Sequence, residues 1–365
     1  MTQSTEIGPT RFGIVGRGWR AEFYQRLARL MPEDLSLVGG LTRGADAARA
    51  VEEAWETRAF SDLGDLLALD PDFVVVAVPW ATTPDFVRLI ASAGVRVLTE
   101  TPPAPTLEEL RRLWTAVGPG GLVQVAEQYP LYPGHAARRE LLASGILGAV
   151  SSAQVSSTHL YHAIALVRSF LGVGFEAAVV RAGEFHGALV NPQNKLGWTG
   201  DSEEHDATTT LATIEFASGR MGVYDFTTNQ WHNPLRSRRV VLRASRGEIA
   251  NDNVARWIDP LTVVEDAITR RQTGVDLNLE GFQLDHLSWA GRVLYRNPFP
   301  GLRLSDEDIA TAHLMLRTAA WASGDGPAPY PLAEGCQDHA IALAVQESAR
   351  TGQPIAVKDE PWAEE

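Results

Sequence analysis

The segment Gly13-Ile14-Val15-Gly16-Arg17-Gly18-Trp19-Arg20-Ala21 holds a G-x-G-x-x-A pattern. Gly16 permits a tight turn, Gly18 lets backbone N–H groups approach a pyrophosphate, and Ala21 is small enough for a helix and a strand to pack closely. The helix N-terminus then favours the anion. Arg17, Trp19 and Arg20 lie within the pattern and are candidate cofactor contacts. Taken alone, so short a pattern is also compatible with a purely structural turn. A second group able to do chemistry is His159 with His162. Oxidising an alcohol with a nicotinamide needs a base for the hydroxyl proton, and the reverse reaction needs an acid; imidazole suits either. On a helix the two are three residues apart and face a similar direction. The plainer reading of each is a hydrogen-bonded structural histidine. Tyr129 and Tyr132, in Glu127-Gln128-Tyr129-Pro130-Leu131-Tyr132-Pro133, could hydrogen-bond a substrate or a nicotinamide amide. A nearby cation would let Tyr129 serve as an acid; hinge packing is the alternative. Lys195 is the only lysine before Lys358, so a catalytic cation other than arginine would have to be Lys195. Trp198 and the polar run from Asp201 to Asp206 could close over a hydroxyl-rich ligand, or form a solvent-facing turn.

These residues need elements to hold them. Apolar runs at 11–15, 35–41, 73–78, 95–98 and 122–126 alternate with helical spacing at 20–30, 45–54, a stretch closing at Gly94, and one beginning near Leu107. Strands alternating with helices imply a parallel, doubly wound sheet with right-handed crossovers over residues 1–126. Beyond it, alternating strands are expected at 150–157, 177–181, 211–216, 222–227 and 239–243, with helices at 134–144, 163–171, 306–323 and 333–351. The class is therefore α/β: a Rossmann sheet, then an α+β domain over 127–365 with a largely antiparallel open sheet. The stretch 190–205 has no clear period and reads as a long loop. Trp80, Trp198, Trp231 and Trp289 fall where loops or domain contacts are expected. At the end of the second strand, Gly40-Leu41-Thr42-Arg43 offers no carboxylate for free ribose hydroxyls. Thr42 can donate a hydrogen bond and Arg43 can pair with a 2'-phosphate, so NADP is preferred to NAD.

With 365 residues, 45% of them hydrophobic, the chain can build two domains with real cores. Its 32 basic against 45 acidic residues give a net charge of -13, which argues against duplex nucleic acid or an anionic membrane as the main partner. One cysteine, Cys336, excludes an internal disulfide and fits a reducing compartment. The polar N-terminus lacks a signal-peptide pattern, and no apolar run approaches the roughly 20 residues of a membrane span. A cytoplasmic location is expected. The nine histidines show no metal-site spacing, and no metal is expected.

Three ordered segments resemble the Gfo/Idh/MocA family. They are Phe12 to Ala21; Val75-Val76-Ala77-Val78-Pro79 followed by Ala93-Gly94-Val95-Arg96-Val97-Leu98 and Glu100-Thr101-Pro102; and Leu141-Leu142-Ala143-Ser144-Gly145-Ile146-Leu147-Gly148. The resemblance implies hydride transfer to or from a sugar, inositol or related polyol, and a homodimer or homotetramer formed through the exposed sheet face. It places Pro79, Trp80, Thr83, Glu100, Thr101 and Gln128 near the cofactor, and Tyr161 near the substrate. The chain departs from the family in a consistent way. Glu100-Thr101-Pro102 stands where the family reads Glu-Lys-Pro, so the cation that would polarise a carbonyl is missing. Thr158 stands at the family's aspartate, four residues before His162, and Thr83 where many relatives carry histidine. The leading expectation is an NAD(P)-dependent oxidoreductase acting on a small polar, sugar-derived molecule. The competing readings are an enzyme that cleaves glycosides through transient oxidation by tightly held NAD, and a nucleotide-bound sensor without catalysis.

Overall fold

Phe73–Val76, reading Phe-Val-Val-Val, is buried along its whole length, as a strand covered on both faces must be. In the computed structural model, which describes residues 8–274, 278–358 and 360–363, it lies inside a six-stranded parallel sheet. The strands are β1 (Thr10–Val15), β2 (Leu35–Leu41), β3 (Ala59–Phe60), β4 (Phe73–Val76), β5 (Arg96–Thr99) and β6 (Val123–Val125), ordered β3-β2-β1-β4-β5-β6. The order reverses between β1 and β4, which makes a topological switch point beside β1. Phe12 of β1 stacks on Phe73 of β4 at 5.4 Å. The helices are α1 (Trp19–Leu30), α2 (Ala45–Trp55), α3 (Leu63–Leu67), α4 (Thr83–Ser92) and α5 (Leu107–Val117). Helix α1 buries Ala21, Tyr24, Leu27 and Ala28, the i, i+3, i+4 stripe of a core-facing helix. The Thr106 hydroxyl caps α5 by accepting the Glu109 N–H at 3.2 Å. The sequence assigned no element to β3 and α3, which at two and five residues are too short for either period to register.

The chain divides into two units, Met1–Gln128 with Glu307–Cys336, and Tyr129–Asp306 with Gln337–Glu365. The returning segment joins the parallel sheet through its own backbone: Val125 donates its N–H to the Tyr330 carbonyl at 2.8 Å, and Gln124 bridges Pro331. Arg26 pairs with Asp308 from the same segment. The stretch read for a leader lies, up to Ile7, outside the described residues.

The second unit is built on a nine-stranded sheet. Its helices α6 (Pro133–Ala143) and α7 (Leu160–Leu171) flank β7 (Val150–Ser156), after which come β8 (Ala178–Val190), β9 (Gln193–Asn194), β10 (Gly197–Trp198), β11 (Glu204–Phe216) and β12 (Met221–Thr227). Strands β13 (Arg239–Ala244), β14 (Gly247–Ala250), β15 (Asn253–Asp259) and β16 (Thr262–Ala267) complete one side. A smaller sheet holds β17 (Thr269–Thr273), β18 (Gln283–Trp289) and β19 (Arg292–Arg296), and β20 (Ile355–Val357) closes the large sheet on β8. All neighbours in the large sheet are antiparallel except β12 and β7. Helix α7, buried over almost its whole circumference, lies on β7 and β12.

Two strands run much further than the sequence suggested. Residues 177–181 and 211–216 are the inner ends of β8 and β11, which pair in register from Ala178↔Phe216 out to Val190↔Glu204. Residues 183–188 are exposed on both faces, so no apolar alternation marks them. The expected loop 190–205 carries a ribbon in which β9 pairs with β10. Helix α7 begins at Leu160 rather than Ala163, which brings His162 into its first turn.

Arg168 of α7 reaches Asp338 at 2.5 Å with both side chains almost fully buried, and its other nitrogens donate to the Gly174 carbonyl. Removing one member of such a pair strands the other charge in a low-dielectric interior. Asp338→Ala is expected to cost about 3–5 kcal/mol in urea denaturation. An Arg168→Met, Asp338→Leu double variant should recover most of that loss, and no recovery would show that the helix contact rather than the charge is at stake.

Candidate functional site

In the first unit the site starts where β1 ends. Gly16 has φ +120°, and a Cβ built there would sit 2.1 Å from the Ala77 carbonyl oxygen, so only glycine fits. Its N–H donates to the Leu41 carbonyl and the Ala77 N–H to the Val15 carbonyl, clamping the turn between β2 and β4. Gly18 is the N-cap of α1, makes no side-chain cap and faces open space. The first N–H groups of a helix have no intrahelical partner. Here they stand uncapped behind a residue without a side chain, which fits the pyrophosphate of a dinucleotide. Arg17, Trp19, Pro79 and Trp80 are exposed around this edge.

Arg20 is engaged inside the unit. Its Nε donates to Glu100 Oε1 at 2.7 Å, and its other nitrogens reach the Tyr24 hydroxyl at 3.1 Å and Glu307 at 3.4 Å. Burial alone would disfavour the guanidinium cation; Glu100, Tyr24 and Glu307 outweigh it and raise the pKa. Any contact of Arg20 with a cofactor therefore falls to its backbone N–H. Glu100 also accepts from the Tyr24 hydroxyl and, through Oε2, from the Thr101 N–H at 3.2 Å. The Glu-Thr-Pro segment is thereby tied to α1, and the Thr101–Pro102 peptide is cis. Thr83 is buried at the start of α4, its hydroxyl donating to the Val78 carbonyl at 3.3 Å. At the end of β2, the Thr42 hydroxyl is buried without a hydrogen-bond partner and Arg43 is exposed. The Gln128 side-chain oxygen is likewise buried and unpartnered. Orphaned buried polar groups of this kind are expected where a ligand completes the site.

In the second unit, Tyr129, His159, Tyr161 and His162 come together. The His162 ring stacks on Tyr129 with centroids 4.3 Å apart and planes 27° apart, and Tyr129 stacks in turn on Tyr132 at 4.9 Å. His159 meets His162 at 5.0 Å and 86°, and Tyr161 meets it at 5.4 Å and 84°. Helix α7 arranges this. His159 is its N-cap without a side-chain cap, the Leu160 N–H instead donating to the Tyr224 hydroxyl at 3.0 Å. Burial first, and the neighbouring His162 second, push the His159 pKa down to about 3. His159 is therefore neutral across the ordinary pH range and can exchange hydrogen bonds but not carry a proton. Thr158, four residues before His162, is fully buried with its hydroxyl unpartnered. Lys195 and Trp198 lie exposed on the ribbon of β9 and β10. The polar run beyond them is already paired: His205 with Asp201 at 2.6 Å within the run, and Asp206 with His186 of β8 at 3.1 Å. Among the described residues no group of three or more His, Cys, Asp or Glu could hold a metal ion.

Sequence reasoning placed Trp231 where a loop or domain contact is expected, without naming it as a site residue. Trp231 there meets His159 at 4.7 Å and Phe226 at 4.8 Å. The available signal was a tryptophan within an amide-rich run, Asn229-Gln230-Trp231-His232-Asn233.

Residues 10–127 match the model of the GFO_IDH_MocA family, described as an oxidoreductase family with an NAD-binding Rossmann fold. No curated protein matches the sequence. Among solved structures, an oxidoreductase from Agrobacterium radiobacter, in complex with NAD+, L-tartaric acid and magnesium, is similar over 95% of this chain and 98% of its own, with 14% identity and a TM-score of 0.69. A putative myo-inositol dehydrogenase from Sinorhizobium meliloti 1021 is similar over 95% and 99%, with 18% identity and a TM-score of 0.65. A levoglucosan dehydrogenase, in complex with NADH and levoglucosan, covers 96% and 100%, with 19% identity and a TM-score of 0.68. These likenesses establish that both units share the fold of such structures. The glycine turn at Gly16 and Gly18 thus lies within residues 10–127, the part of the chain that is similar to the NAD-binding Rossmann fold of an oxidoreductase family.

Proposed function

We propose that the protein is an NAD(P)-dependent dehydrogenase or reductase acting on a hydroxyl-bearing, sugar-derived molecule, with His162 as the group that moves the proton. The observation that carries this is the His162 imidazole, braced face-on by Tyr129 in a chain that also holds a dinucleotide turn. The similar structures point to the substrate class, since they include a putative myo-inositol dehydrogenase and a levoglucosan dehydrogenase. The backbone N–H groups behind Gly18 hold the pyrophosphate, and Thr42, Arg43 and Gln128 offer polar groups to the remainder of the dinucleotide. When bound, the nicotinamide supplies the hydride acceptor or donor. In the oxidative direction His162 takes the hydroxyl proton as the carbon gives up its hydride, leaving a carbonyl; in reduction the protonated imidazole returns it. His159, neutral, orients a neighbouring hydroxyl. Thr101 brings no charge to the place of the missing lysine, so proton transfer rests more heavily on His162. The exposed sheet face bearing Phe185, Leu211 and Trp257 is where a second copy packs on this reading.

The test is a binding titration with both nicotinamide nucleotides, followed by reduced-cofactor absorbance with a panel of cyclic polyols and the corresponding ketones. A protein that binds neither nucleotide, or consumes none with any compound, contradicts the assignment.

NADP is the preferred cofactor on this reading, because Arg43 follows the end of β2, is exposed, and can pair with a 2'-phosphate where no carboxylate would repel it. Arg43→Ala is expected to weaken NADP binding by about tenfold or more, the loss of one charge-assisted contact, with NAD unaffected. Equal affinity of the wild-type protein for both nucleotides would remove the preference.

A further inference from the structure

The loop after β12 is pinned by more buried polar contacts than a connection between two strands needs. Gln230, 3% exposed, accepts the Thr227 N–H at 2.8 Å and donates to the carbonyls of Ser156 at 2.8 Å and Ser237 at 2.9 Å. Asn233, 2% exposed, donates to the Val190 carbonyl at 2.8 Å and to Asn191 Oδ1 at 3.1 Å, and accepts the Leu235 N–H at 2.9 Å. Asn229 donates to the same Asn191 oxygen at 3.1 Å. Burying amides is costly unless their bonds are made, and a fully satisfied network is rigid. These bonds flank Trp231 on both sides. The indole is not fully buried, and it rests against His159 and Phe226 at 72° and 64°. His159 in turn touches His162. A rigid, partly exposed indole thus borders the imidazole pair.

We propose that Trp231 is a specificity-determining residue: its indole is the platform on which the C–H face of a cyclic polyol rests while ring hydroxyls meet His159 and His162. Aromatic rings supply a large, rigid apolar surface at small entropic cost, and ligand sites combine such a surface with a few placed polar groups. A cyclic polyol presents one continuous C–H face to such a surface; an open-chain polyol must first be ordered to do so. Gln230, Asn233 and Asn191 are the residues that position the platform. This inference rests on the dehydrogenase reading for the identity of the ligand class.

Trp231→Ala and Trp231→Phe are compared with the wild-type protein, loaded with nicotinamide nucleotide, by saturation-transfer NMR and by steady-state kinetics. The probes are myo-inositol and methyl β-D-glucopyranoside, with open-chain sorbitol as control. The alanine variant is expected to bind the cyclic probes about tenfold or more weakly and to show a KM raised by a similar factor, with kcat much less affected. The phenylalanine variant, which keeps an aromatic face, should stay within about threefold and controls for folding. The proposal is overturned if Trp231→Ala binds the cyclic probes as the wild type does, if sorbitol loses as much as they do, or if the wild type binds neither. Cyclic probes that bind through Trp231 while no reduced cofactor is ever formed or consumed would uphold the platform and defeat the dehydrogenase reading. Turnover with KM indifferent to Trp231 would do the opposite.

Discussion

Alanine in place of Gly16 is expected to abolish nicotinamide nucleotide binding. The added Cβ would meet the Ala77 carbonyl oxygen at 2.1 Å, and a φ of +120° lies outside the regions an L-residue occupies. Relief requires moving the backbone, which breaks the bonds from the Gly16 N–H to Leu41 and from the Ala77 N–H to Val15. The strain alone costs about 1–3 kcal/mol, and the turn that aims the first N–H groups of α1 no longer points at a common anion. Nucleotide fluorescence titration and thermal melting read the two effects separately. Gly18→Ala is the informative partner, because nothing lies within 4 Å of a Cβ at that position. It should fold as the wild type does and still bind nucleotide more weakly, its methyl group standing in front of the anion. Undiminished nucleotide binding by the Gly16 variant would remove this turn from the site.

His162→Asn is expected to lower kcat by roughly a hundredfold to ten-thousandfold, the usual contribution of a positioned acid or base, with nucleotide affinity unchanged. The pH profile separates the two histidines. In oxidation the rate rises with pH as the base loses its proton, and falls as acid protonates it. His159, held near 3 by burial, does not change charge between pH 5 and 9, so an ionisation near neutrality in kcat/KM cannot be its own. The His159→Asn enzyme should therefore keep the wild-type pH profile across that range. A His162→Asn enzyme within about tenfold of wild type would move proton transfer to another group.

Much of the first unit was legible because its signals are local. The apolar run that becomes β4 is continuous, Gly16 and Gly18 stand at the strand-to-helix junction, and helix α1 shows helical spacing at Phe23, Leu27 and Leu30, although of these only Leu27 is buried. The second unit was less so. Residues 183–188 face solvent on both sides of β8, and with no core to face they carry no alternating pattern, so the outer parts of the longest hairpin were not read as strand. The start of α7 was misplaced by three residues because its first N–H is satisfied by Tyr224, 64 positions away, and no capping side chain marks the turn.

The sequence by itself determined the parallel sheet, the glycine turn between β1 and α1 and the absence of a lysine before Pro102, since each depends on residue type at fixed local spacing. Only the tertiary structure decided what the side chains do. Arg20 is spent on Glu100, His159 is held neutral, Tyr129 lies flat on His162, and Trp231 joins them from about 70 residues further along the chain. Burial and charge at a site are sums over neighbours brought from distant segments, and chain spacing carries no record of them.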